Sequence, residues 1–85
     1  MYRVVLSEKA ARFYEAAQAG FAARLDRCFV LIGADPRRHP NIKPLRGTLS
    51  GAWRFRLGDY RITYKIEDSR RLVTVMLISH RSEAY

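Results

Sequence analysis

The sequence predicts an α+β fold in the order β-α-α-β-β-β, an N-terminal helical hairpin packed on a small, twisted, mainly antiparallel sheet. Three observations predict it. Apolar residues recur at helical spacing from Ala10 to Ile32. A strictly alternating stretch runs from Trp53 to Ile66 and is broken in its middle by Gly58-Asp59. A run from Leu72 to Ile78 is apolar at every position except Thr74.

Taken in order, Arg3-Val4-Val5-Leu6 is short and β-prone, and reads as a first strand over residues 2–6. Ser7 before Glu8 and Ala10-Ala11 reads as the N-cap of a helix. That helix continues through Phe13, Tyr14 and Ala17 and is expected to break at Gly20. A second helix then runs from Phe21 to Ile32, with Phe21, Leu25, Cys28, Phe29 and Ile32 along one face and Arg24 and Arg27 turned to solvent. Gly33 fits a C-terminal cap, and Pro36 stops continuation. Residues 33–51 are rich in turn formers and read as a long loop. Around Gly58-Asp59 the period of two defines a hairpin with Leu57 opposite Tyr60, Phe55 opposite Ile62 and Trp53 opposite Tyr64. The same register sets Arg56 against Arg61 and Arg54 against Thr63. One face of the hairpin is therefore apolar, and the other is lined by Arg54, Arg56, Arg61 and Lys65. A turn at Glu67–Arg71 leads to the last strand, apolar on both faces and so expected in the middle of the sheet.

The 85 residues leave room for one domain, taken as 1–85. Ordering them costs on the order of 130 kcal/mol of conformational entropy. Most of the 48% hydrophobic residues must then share one core. That excludes a deep cofactor cavity, so no cofactor is expected and any site has to be an open groove. The one cysteine, Cys28, excludes an internal disulfide, and no ligand spacing suggests a metal. With no long apolar run and no export pattern, cytoplasmic residence is the default and no membrane partner is expected.

Sixteen Lys and Arg against eight Asp and Glu give a net charge of +8, and all the cations except Lys9, Lys43 and Lys65 are arginine. Nearly the whole excess lies in residues 36–66, where Arg37, Arg38, Lys43, Arg46, Arg54, Arg56, Arg61 and Lys65 face Asp59 alone. Such a block attracts a polyanion. Like charges directly across a hairpin are unfavourable by a few tenths up to about 1 kcal/mol. Tolerating Arg56 beside Arg61 therefore marks a face kept for binding rather than for stability.

The last strand exits through Ser79-His80-Arg81-Ser82-Glu83-Ala84-Tyr85. His80 is the best proton-transfer candidate, since an imidazole titrates near neutrality, whereas His39 in the loop reads as a plain polar residue. No serine pairs with a histidine and an acid, and no two carboxylates sit together in the basic region. What remains is metal-free phosphoryl transfer on RNA. There the 2′-hydroxyl is the nucleophile, and the protein need only orient, neutralise charge and move protons.

The stretch from Lys43 to Tyr64, KPLRGTLSGAWRFRLGDYRITY, with the ending HRSEAY, resembles the signature of the RelE/ParE toxin superfamily. The resemblance implies the toxin of a type II toxin–antitoxin pair, a metal-independent endoribonuclease that cuts mRNA in the A site of the 70S ribosome by 2′-hydroxyl attack. It implies catalytic roles for Arg61, His80, Arg81 and Tyr85, and phosphate-binding roles for Arg54 and Arg56; Lys43, Arg46 and Lys65 join these as phosphate-binding candidates from the basic block alone. It implies a cognate antitoxin as partner, and operator DNA through the antitoxin complex. Lys43 stands where one branch of the superfamily has an acidic base, which keeps two alternatives open: a ParE-like inhibitor of DNA gyrase acting by protein binding, and a degenerate member that only binds a partner.

Overall fold

A computed structural model describes residues 1–83 of the chain. Strand β1 (Arg3–Leu6) leads into helices α1 (Glu8–Ala16) and α2 (Ala19–Ala34), followed by strands β2 (Ile42–Pro44), β3 (Trp53–Leu57), β4 (Tyr60–Glu67) and β5 (Leu72–His80). The sheet runs β1-β5-β4-β3-β2, with β1 parallel to β5 and every other pair antiparallel. The last strand thus lies inside the sheet, as its two-sided apolar run requires.

Ser7 does cap α1, its Oγ accepting from the Ala10 N–H at 3.1 Å and donating to the Met76 carbonyl at 2.8 Å. The break between the helices falls at Ala17 and Gln18 rather than at Gly20, which sits exposed in the first turn of α2 with open space around it. First-turn N–H groups lack helical partners in any case, so a glycine there does not end a helix. Gly33 is likewise inside α2 and is not its cap. It is buried where the helix meets β1: a Cβ there would lie 3.1 Å from the Tyr2 carbonyl oxygen, and the Tyr2 N–H donates to the Gly33 carbonyl at 2.8 Å. This glycine serves a close approach of two backbones.

Both helices pack on one face of the sheet. Leu25, Cys28 and Ile32 from α2 and Ala10 from α1 meet Phe55, Ile62, Tyr64, Val73, Val75 and Ile78 in a single buried cluster. Burying one such aliphatic side chain is worth roughly 1.5–3 kcal/mol. Tyr64 is fully buried and keeps its hydroxyl satisfied by donating to the Pro36 carbonyl at 2.6 Å. Trp53, at the margin, is half-buried with the Arg37 guanidinium 5.7 Å over its ring.

The hairpin register matches the alternation at all five positions, from Trp53 with Tyr64 to Leu57 with Tyr60. Gly58 takes φ +59° in its turn, the left-handed conformation that such a tight connection demands. Two features depart from the expected order. The long loop contains a fifth strand, β2, whose Ile42 pairs with Phe55 and is buried while Lys43 and Pro44 are exposed. In β5 an extra residue bulges between Val75, opposite Tyr64, and Leu77, opposite Thr63.

Candidate functional site

Because residues paired across a ladder share a face, Arg54 on β3, Arg56 on β3 and Arg61 on β4 all project from the side away from the helices. Arg56 and Arg61 are direct cross-strand partners. The chain end brings a fourth cation. After β5 the main chain turns, the Arg81 N–H donates to the Asp59 carbonyl at 2.8 Å, and Arg81 Nε lies 4.0 Å from Asp59 Oδ1. The result is a groove of about 190 Å³ lined by Arg54, Arg56, Arg61 and Arg81 with Gly58, Asp59 and Tyr60. Four guanidinium groups face one carboxylate there. A phosphate between them would relieve the Arg56–Arg61 repulsion and accept paired N–H donors from each planar head.

The other site candidates separate into groups. Lys43 pairs with Arg54 and so borders the groove on the same face. Lys65 points from that face too, but lies lower on β4, beside Thr74 and in a separate hollow with Glu67 and Met76. Arg46 is exposed in the connection after β2, just before a single 3-10 turn. His80 is not a groove residue: it pairs with Tyr60, and its ring meets the Tyr60 ring edge-on at 5.1 Å, on the face that Phe13 and Phe21 also pack against. Its Nδ1 lies 2.8 Å from Ser82 Oγ. Tyr85 lies outside the described residues.

Two contributors escaped the sequence reading. Arg24 reaches from α2 to the hairpin turn, where a Cβ on Gly58 would lie 3.0 Å from its Nη2, and its guanidinium sits 5.6 Å over the Phe21 ring. Helical periodicity marks Arg24 as solvent-facing but says nothing of what it meets. Asn41, just before β2, accepts on its carbonyl from Arg54 Nη1 at 2.8 Å, a contact that no pattern announces.

Away from the groove, Arg37 donates twice to Asp68, at 3.1 and 2.8 Å, and the Tyr2 hydroxyl donates to the same carboxylate. The Arg37 bonds first, and Tyr2 second, hold the Asp68 carboxyl down at about 2. Burial pushes the Cys28 thiol up to about 12, so it is no nucleophile. Among the described residues no three His, Cys, Asp or Glu side chains gather as a metal site would need, and no helix is long and apolar enough to cross a membrane.

Comparison with known proteins gives a consistent picture. Residues 4–85 match the family described as the ParE toxin of type II toxin–antitoxin system, parDE. Toxin RelG of Mycobacterium tuberculosis is 40% identical over 43 residues, and Toxin RelE of the same organism 44% over 43. Those alignments cover 51% of this chain and 49% and 44% of the two relatives, so the match spans about half the length of each. In three dimensions the fold is similar to the toxin–antitoxin complex RelBE2 from M. tuberculosis, with TM-score 0.83 and 28% identity over 94% of this chain and 98% of that one.

Proposed function

Since the chain belongs to the ParE toxin family, within the RelE/ParE superfamily, we propose that it is the toxin of a type II toxin–antitoxin pair and that its arginine groove grips RNA phosphate. In this reading it is an endoribonuclease acting on mRNA in the ribosomal A site. The observation that carries the reading is the gathering of Arg54, Arg56, Arg61 and Arg81 about one hollow. The substrate supplies its own nucleophile: the 2′-oxygen attacks phosphorus, the bond to the 5′-oxygen breaks, and a cyclic phosphate and a 5′-hydroxyl result without water. Charge growing on the phosphoryl oxygens falls on the guanidinium groups.

Arginine stays protonated at any physiological pH. These four side chains therefore neutralise and orient, and proton transfer belongs to other groups. We place Tyr85 in the family's role at the chain end, stacking on a base or exchanging a proton. We read His80 as the brace of that end, its ring against Tyr60 and its Nδ1 on Ser82. A reaction confined to the ribosome suits a groove that supplies charge and little else.

The partner is an antitoxin whose acidic or amphipathic segment covers the basic face, as relatives such as RelBE2 are seen in complex with theirs. Expressing the chain and mapping 5′ ends by primer extension tests the activity. New ends within translated codons, absent for Arg61→Ala, support it; growth arrest with no new ends overturns it. One observation favours a second reading, inhibition of DNA gyrase by protein binding: His80 stands off the groove, as a non-catalytic ParE-like surface would allow. Loss of supercoiling by purified gyrase, with mRNA intact, would select it.

A further inference from the structure

In a regular antiparallel ladder the residue opposite Arg56 would exchange both main-chain hydrogen bonds with it. Asn41 holds that place and does something else. Its carbonyl accepts from the Arg56 N–H at 2.9 Å, but its own N–H donates to Nδ1 of His39 at 3.0 Å. The Arg56 carbonyl is served instead by the Asn41 side chain, whose Nδ2 donates to it at 2.9 Å. The Asn41 carbonyl also takes the Arg54 guanidinium, at 2.8 Å. One residue outside the groove thus holds the main chain of one groove arginine and the head of another.

His39 sets Asn41 in turn. Its ring lies against Phe55, 5.0 Å between centroids, and its main-chain carbonyl accepts from the Ile42 N–H at 2.9 Å. A ring nitrogen that accepts carries no proton, so this arrangement needs neutral His39 with its hydrogen on Nε2. The charged and titratable groups sharing the hollow with His39 are Arg24, Arg27 and Cys28 of α2. Arg37 and Arg38, beside it in the chain, have their N–H groups tied to Asp35 Oδ1 at 3.1 and 3.2 Å.

The geometry points to Asn41, set by neutral His39, as a positioning residue for Arg54 and Arg56. This rests on the RNA-binding reading for its consequence, though not for its geometry. Protonating His39 removes the acceptor for the Asn41 N–H and so loosens the hold on both arginines. It also adds a positive charge, which on its own would strengthen attraction for a polyanion. The two effects have opposite signs.

The test measures binding of a short single-stranded RNA oligonucleotide by anisotropy, and the Arg54 Nε–H resonance by NMR without RNA, from about pH 8 to about pH 5, the span over which imidazoles in general change charge. Wild type is expected to lose roughly three- to tenfold in affinity on acidification, the worth of about one hydrogen bond. His39→Asn, which offers an acceptor that does not titrate, should keep the alkaline affinity across the range. His39→Phe keeps a ring on Phe55 without the acceptor and should be weak throughout, as should Asn41→Ala. If the Arg54 resonance follows His39 in wild type while no RNA binds, the positioning stands and the RNA reading falls. If RNA affinity rises on acidification and the Arg54 resonance ignores both pH and His39→Asn, the positioning is overturned, whether or not the Phe variant folds.

Discussion

The two faces of the β3–β4 hairpin are built from alternate residues of the same two strands and obey opposite rules. On one, Phe55, Ile62 and Tyr64 are buried under the helices and make up much of the core. On the other, Arg56 faces Arg61 and the two share a groove with Arg54 and Arg81. The first face stabilises the domain and the second works against it. Alternation lets one element do both, because burial on one side, worth several kcal/mol, outweighs repulsion of at most about 1 on the other.

The contrast can be broken or sharpened by experiment. The largest effect expected is from Ile62→Ala, fully buried under the helices: about 2–5 kcal/mol of lost stability in urea unfolding. A loss under about 1 would mean that the helix-covered face is not the stabilising one. Gly58→Ala, at φ +59° and with its new Cβ 3.0 Å from Arg24 Nη2, should lose about 1–2 kcal/mol, and thermal melts would show it. That change strikes the turn which joins the two faces, so it tests whether their register depends on it.

Arg56→Thr should run the other way, gaining roughly 0.2–1 kcal/mol as the cross-strand repulsion goes. The same variant should lower the salt slope of RNA binding by about 1. A destabilised Arg56→Thr would show that the cations do not oppose one another. The smallest effect contrasts this repelling pair with the attracting one at the far end of the sheet. Asp68, held at about 2 by Arg37 and Tyr2, has a carboxyl depressed from its ordinary value near 4. Its contribution is therefore present above about pH 4 and is lost as pH falls toward about 2. Asp68→Asn should flatten the stability profile in that window; an unchanged acid limb would show that this exposed pair contributes nothing.

How much of this was legible follows from the length of each pattern. The hairpin alternates over enough positions to define its register and to place Arg54, Arg56 and Arg61 on one face before any coordinates. Strand β2 has three residues, one of them apolar and one a proline, too few for a period of two to show. Gly20 and Gly33 mislead because glycine serves both breaks and close contacts, and only the position of Tyr2 against Gly33 tells which. His80 was named for its imidazole and its place in the HR…Y ending, neither of which fixes the face it takes. Val73 and Val75 face the core, and without the bulge parity would have sent His80 out beside the arginines. The extra residue before Leu77 inverts it, and a bulge inside an apolar run leaves no mark in sequence. Arg81 was named from the same ending, and only the turn after β5 brings it to the groove.

One consequence concerns the order in which the protein is made. The first strand pairs in parallel with the last, and Ser7 binds Met76 across 69 residues. During translation, then, β1 and its two helices emerge with no strand to lie beside, and the sheet closes only when β5 has followed. Contacts so remote in sequence slow folding. The groove needs β3, β4 and the turn after β5, so its arginines come together only once that pairing is made.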